Sequence, residues 1–275
     1  MPFDNTESST FGGAPIRLYE FRRGGKRWYY TTAEKDVTLT VGGEEVVFLA
    51  TASNDDGVTQ SGDTTRNELV IHLPYDNPIV ELFRGTPPLD EVAIITRSNH
   101  YGEGDAPIIW WGRVVQSSRV DDAQSSLTCQ PRINSYSRGG LRLCWERNCP
   151  HGLYDFGCKV NRADYAIGGT ILSAVGNVVR AAAYASKPDG WFSGGMIEWD
   201  LGDDTYDRRM VQSHDGEYLT IYGGTDGITP GNTVRAYPGC GRDEDTCFEK
   251  FSNFDNYGGY PFMPGESPFG GKALM

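Results

Sequence analysis

Four cysteines fall in two short clips, Cys149-x8-Cys158 within CPHGLYDFGC and Cys240-x6-Cys247 within GCGRDEDTC, with no cysteine between Cys158 and Cys240. Paired thiols at short spacing, occurring twice, are how a chain presents four thiolates to one metal centre. Zinc knuckles commonly use C-x2-4-C spacers. The wider spacers tilt the reading towards an iron–sulfur cluster, whose irons accept thiolates from separated directions, and zinc stays open as the alternative. Cys149, Cys158, Cys240 and Cys247 are therefore the expected metal ligands. Cys129, in LTCQP, sits in a strand pattern and reads as a buried apolar residue. Cys144, in LRLCWE, reads as part of a packed segment and is not assigned as a ligand.

Competing catalytic chemistry is thin. The four histidines are His72, His100, His151 and His214. His151 stands two residues from Cys149, too close along a loop to serve readily as its base. It is expected to cap the turn or to donate to a sulfur. Asp203, Asp204 and Asp207 lack the D-x-D-x-D-G order of a calcium loop and read as a solvated turn. The glycines of GGTILSAVG do not make a G-x-G-x-x-G motif. Of adjacent aromatics such as Trp110-Trp111, one faces a core and the other an interface. No catalytic residue is assigned, and the chain reads as a non-enzyme. A redox or iron–sulfur-dependent enzyme is kept as the alternative, as is a zinc-stabilised assembly protein.

The elements that must position the clips read as strands. The chain has 275 residues, with 35 glycines, 15 tyrosines and a formal net charge of −12. Such a composition favours many short strands joined by tight turns. The acidic balance argues against nucleic-acid binding, which needs clustered Lys and Arg. The start MPFDNTESSTFGG lacks the pattern of a secretory peptide, and no stretch is long and apolar enough to span a membrane. Synthesis in a reducing cytosol makes disulfides unexpected.

The expected fold is mainly β. Residues 1–16 form an N-terminal arm and 17–131 an antiparallel β domain. Residues 132–169 supply the first half of a cysteine-rich unit, 170–237 a small inserted β barrel, and 238–275 the second half with a C-terminal tail. Within 17–131, IRLYEFRRG, KRWYYTT, DVTLTVGG, EEVVFLA, NELVIHLP, EVAIITRS, IIWWGRVVQSSRV and SSLTCQP read as strands. Gly24-Gly25, Gly42-Gly43 and Asp56-Gly57 are the expected hairpin turns. NPIVELFRG reads as a short helix entered at Asn77 and Pro78. A metal tying Cys158 to Cys240 would close a long loop, worth at most roughly 4 kcal/mol by analogy with a disulfide.

Several segments carry a family resemblance: VTQSGDTTRNELVIHLPYDNPIVELFRGTPP, IIWWGRVVQSSRV, CPHGLYDFGCKVNRADY, DGWFSGGMIEW and YPGCGRDEDTCFEKFSNFDNYGGYPFMPGESPF. The last is the most specific, a GC-x6-C pair followed by an Asn-aromatic-Gly-Gly run. By these the chain resembles the phage BR0599 family, which includes the hub protein of gene transfer agents, and looks like the lambda-type tail-tip protein L. Tyr257 stands where the family commonly has Phe. The resemblance implies a virion structural protein, a hub of the tail tip or baseplate of a long-tailed phage or gene transfer agent, assembled in the host cytoplasm. It implies a structural 4Fe-4S cluster on Cys149, Cys158, Cys240 and Cys247. It also implies a homotrimer between the distal tail protein and the central tail-tip or host-specificity protein, with DNA passing through the lumen without specific binding. Two β modules in each of three chains would present pseudo-sixfold symmetry to a sixfold tube.

Overall fold

Strands build most of the computed structural model, which describes residues 6–8, 13–58, 67–135 and 144–264. Much of the expected arm at 1–16, the end of the tail beyond 264 and the stretches 59–66 and 136–143 lie outside the described residues. The chain divides into two compact units, Met1–Arg138 with Asp200–Asp207, and Gly139–Trp199 with Arg208–Met275.

The first unit holds β1 (Pro15–Arg23), β2 (Lys26–Thr31), β3 (Val37–Val41), β4 (Glu44–Ala50), β5 (Asn54–Asp55), β6 (Leu69–Pro74), α1 (Pro78–Leu82), β7 (Ala93–His100), β8 (Ile108–Arg119) and β9 (Gln124–Pro131). They form a nine-stranded sheet in the order β3-β4-β2-β1-β7-β8-β9-β6-β5. β6 and β9 alternate strictly, so Leu69, Ile71, Leu73, Leu127 and Cys129 face one core with Tyr19, Phe21, Trp110 and Val114. β1 is buried on both faces, because Ile16 and Leu18 pack instead with Leu39 and Phe48 of the β3–β4 hairpin. Cys129 is fully buried, and burial pushes its thiol well above the ordinary range. Asn77 caps α1 by accepting from the Ile79 amide at 2.9 Å, and Ile79 and Val80 enter the core.

Three expectations change. The sheet is not antiparallel throughout, because β2 and β4 pair in parallel, Tyr30 opposite Leu49. The β3–β4 hairpin folds back as a unit, and its second strand, not its first, meets β2. Asp56-Gly57 does not close a tight hairpin. β5 pairs with β6 in a register, Asn54 opposite His72, that leaves a long connection. Asp207 is not solvated: it pairs with the buried Arg23 at 3.2 Å.

The second unit is a seven-stranded sheet ordered β10-β16-β13-β14-β15-β12-β11. Its strands are β10 (Ile167–Thr170), β11 (Ser173–Val175), β12 (Val178–Arg180), β13 (Met196–Asp200), β14 (Tyr206–Asp215), β15 (Tyr218–Ile221) and β16 (Thr233–Tyr237). Tyr184, Phe192, Ile197, Val211, Leu219 and Val234 are fully buried. Phe192 meets Tyr184 and His214 edge to face at 5.7 and 4.8 Å. The first and last strands pair antiparallel, Ile167 opposite Ala236 and Thr170 opposite Thr233. That pairing lays the chain entering the sheet beside the chain leaving it, so the segments carrying the two clips start from one place.

Candidate metal centre

Each clip is held by its own aspartate. In the first, Asp155 accepts from the amides of Gly152 at 2.8 Å and Cys158 at 2.7 Å. Those amides, the Cys158 bond first, hold its carboxyl below the usual range despite some burial. In the second, Asp243 accepts from the Thr246 amide and hydroxyl, both at 2.7 Å, which likewise lowers its carboxyl. This starts the π-helical turn Thr246–Lys250 that carries Cys247. Short polar side chains bonding to backbone two or three residues on are a general way of fixing a turn. Lys250, at the end of that turn, donates to the carbonyls of Trp191 at 2.6 Å and Gly239 at 2.8 Å, and so ties the turn to the residue preceding Cys240.

The two clips meet. Cys149, Cys158, Cys240 and Cys247 line one cavity of about 190 Å³, more than ten times the roughly 10–15 Å³ that one water-sized body needs. All four are free thiols, three buried and Cys240 half-buried. Among the described residues no three His, Cys, Asp or Glu side chains close on a single metal-ion position, so the thiols share a cavity and not one coordination point.

Donors point at the sulfurs. The Gly258 amide lies 3.4 Å from Cys149 Sγ, the Arg242 amide 3.3 Å from Cys240 Sγ, and Asn253 Nδ2 3.8 Å from Cys158 Sγ. The Cys247 thiol donates to the Asn253 carbonyl at 3.3 Å. Burial pushes the Cys247 thiol up to about 11, and Cys240, Cys149 and Cys158 push it the same way. Burial also raises Cys240, against the Arg242 amide. Thiols raised this way must lose protons to ligate, so metal binding here would release protons and weaken as pH falls.

His151 lines the cavity, and among the described residues no hydrogen bond from it to a sulfur is seen. Its ring is wedged between two glycines. A Cβ on Gly157 would lie 2.4 Å from Nδ1, and one on Gly258 would lie 2.4 Å from Nε2. A Gly258→Ala variant is therefore expected to push its own amide off Cys149 Sγ. We expect a loss of about 1–3 kcal/mol, the usual cost of overpacking, read by urea denaturation. Unchanged stability would show that the ring slips aside.

Cys144 is exposed and outside the cavity lining. His72 pairs with Asp56 at 3.0 Å, and His100 with Glu7 at 2.8 Å. His214 is buried and bonds to the Gly216 carbonyl at 2.9 Å. Sequence reasoning missed Asp155, Arg242, Asp243, Asn253 and Gly258. The two aspartates had a signal, an Asp placed three residues before Cys158 and before Thr246.

Comparison with known proteins bears on the second clip. Residues 190–267 match the family described as "Phage conserved hypothetical protein BR0599". The BR0599 segment contains Cys240, Cys247, Asp243, Lys250, Asn253 and Gly258, whereas Cys149 and Cys158 precede it. A protein of Xylella fastidiosa (strain 9a5c), described as "Uncharacterized protein", is 26% identical over 188 residues, 62% of this chain. The match spans only 38% of that relative's length. A solved structure described as "Virion of native gene transfer agent (GTA) particle" superposes with a TM-score of 0.75 at 21% identity, covering 96% of this chain and 93% of that one. The chain shares that fold. Among the described residues no helix is long and apolar enough to cross a membrane.

Proposed function

We propose that this chain is a structural, non-enzymatic component of a phage or gene transfer agent virion. The BR0599 segment and the fold shared with a chain of a gene transfer agent particle support that reading. More finely, we infer a hub of the tail tip, most simply a homotrimer, joining the tail tube and distal tail protein to the central tip protein.

Within the hub, Cys149, Cys158, Cys240 and Cys247 would hold a structural iron–sulfur cluster of the 4Fe-4S type. The observation that carries this is the meeting of four thiols, from two stretches far apart in sequence, around one cavity. The donor set is all sulfur, as such clusters use, and hydrogen bonds to the sulfurs are a usual feature of their surroundings. The room available exceeds what a single ion needs. Such a cluster would supply a cross-link. The chain's own residues present the sulfurs, bury three of them and direct N–H donors at Cys149, Cys240 and Cys158.

Protein purified without oxygen is expected to absorb at about 400 nm and to carry iron and sulfide in equal amounts. Stoichiometric zinc without iron would replace the cluster by the zinc reading, and neither metal would sink both. Electron microscopy of particles carrying a labelled copy tests the position. Label on the capsid or along the tube would overturn the hub assignment.

A further inference from the structure

We propose that Arg242 and Asn253 are two staples that assemble the four-cysteine pocket from polypeptide alone, so that it stands before any inorganic group enters. This rests on the reading of the pocket as a metal centre, and it concerns how the protein prepares that centre. Neither residue is a ligand; both are positioning residues.

Arg242 joins Cys149 to Cys240. Its carbonyl accepts from the Cys149 amide at 2.8 Å, its Nε donates to the Cys149 carbonyl at 2.7 Å, and its own amide faces Cys240 Sγ at 3.3 Å. Its φ of 63° is a left-handed conformation that L side chains adopt at a cost. The bonds made by its amide, carbonyl and Nε are what hold it there. Tyr257 braces the same point, its hydroxyl reaching the Arg147 carbonyl at 2.7 Å and the Arg242 carbonyl at 3.4 Å.

Asn253 joins Cys158 to Cys247. Its Nδ2 donates to the Cys158 carbonyl at 2.6 Å and faces Cys158 Sγ at 3.8 Å. Its main chain closes on the other clip, the amide donating to the Cys247 carbonyl at 3.0 Å and the carbonyl accepting from Cys247 Sγ. Asn256 fixes the amide's orientation by donating to Asn253 Oδ1 at 2.8 Å. Each staple thus spans from the first clip to the second, and each pairs one cysteine of the first with one of the second.

Such long-range bonds ordinarily cost loop-closure entropy. Here the pairing of β10 with β16 has already brought the ends together, so the staples need only orient them. A site held in advance binds with less ordering cost than one that folds around its metal. It also departs from the zinc-finger pattern, in which the metal-free chain is unfolded.

The test uses the full chain stripped of metal and reduced, with iodoacetamide as the probe and mass spectrometry reading each cysteine. In the metal-free protein Cys149, Cys158 and Cys247 should react at least about tenfold slower than the exposed Cys144, the protection that one retained hydrogen-bonded closure gives. Arg242→Ala, which removes the Nε bond to the Cys149 carbonyl, should speed Cys149 and leave Cys158 and Cys247 near their original rates. Asn253→Ala, which removes the Nδ2 bond to the Cys158 carbonyl, should speed Cys158 and leave Cys149 and Cys240 near their original rates. If the alanine variants do not fold, Arg242→Lys and Asn253→Asp keep size while removing the bonding fork or the Nδ2 donor. All four cysteines reacting as fast as Cys144 in the metal-free wild type would overturn the proposal, because the metal would then be making the pocket. Either variant speeding all four alike would overturn it too, as general loosening. Iron and zinc content of the untreated protein is measured separately. Absence of both iron and zinc would sink the metal reading while the alkylation pattern still judged the staples.

Discussion

A Cys240→Ser variant, purified without oxygen, is expected to lose nearly all the absorbance at about 400 nm and the iron that the proposed cluster gives the wild type. Cys240 is the half-buried member of the four, so a serine there can be hydrated and the fold should survive the change. The effect on stability is bounded. Closing a loop of this length by a cross-link is worth at most roughly 4 kcal/mol, and the β10–β16 pairing together with the Arg242 and Asn253 bonds has already taken much of that entropy out. A loss of about 1–2 kcal/mol is therefore expected, a drop in Tm of a few degrees for a chain of this size. Assembly should respond far more steeply than stability. Phe156 in the first clip is 95% exposed, and Phe248, next to Cys247, is 64% exposed. If partners in the particle dock near these side chains, small shifts of either clip would misplace them. Particles built with Cys240→Ser should thus be tailless or inactive. Normal iron content would show that Cys240 is not a ligand, and active particles that lack iron would remove the cluster from any role in assembly.

The same feature explains what the sequence could and could not tell. Eight strands of the first unit were legible because their burial alternates or runs apolar between glycine turns, and Gly24 and Gly42 have the positive φ those turns require. Asn77 announced α1 because a side-chain cap followed by proline is a local signal. The parallel pairing of β2 with β4 was not legible, since strand order is settled by which faces must be covered. β5, two residues long, is defined only by its partner. The four cysteines stood out by type and spacing. Arg242 and Asn253 did not, because they act through main-chain atoms and one side-chain nitrogen each, and nothing in an arginine or asparagine between turns marks that use. Asp207 was misread for a related reason. Its partner Arg23 is remote in sequence, so its burial could not be inferred from the aspartates around it.

A Glu198→Ala variant tests the other end of the cysteine-bearing unit. Glu198, on β13, is 3% exposed at its side chain and accepts from Arg208 Nε at 2.7 Å, Arg162 Nη1 at 3.1 Å and the Tyr237 hydroxyl at 3.0 Å. Arg162 also lies over the Tyr237 ring at 5.0 Å, and Tyr237 meets Tyr154 of the first clip edge to face. Removing one partner from a buried ionic network typically costs about 3–5 kcal/mol, because the remaining charges stay unpaired. Arg162 is 40% and Arg208 26% exposed, so both can turn partly to water, and about 2–3 kcal/mol is the better expectation. Glu198→Gln should separate charge from packing. Burial by itself would raise the carboxyl, but Arg208, Arg162 and Tyr237 together hold it below its ordinary value. A lowered folded-state value means the ionic contribution is fully present above the unfolded carboxyl range, at about pH 4.3, and is lost as pH falls through the folded value. Urea denaturation should therefore find the wild type more stable than Glu198→Gln at pH 7, with the gap closing as pH falls below about 4. A gap that stays constant down to pH 3 would mean that the glutamate contributes shape and hydrogen bonds, not charge. A Glu198→Ala loss that leaves alkylation of Cys158 and Cys240 unchanged would show that the clips are anchored by their own staples and not by the strand beneath them.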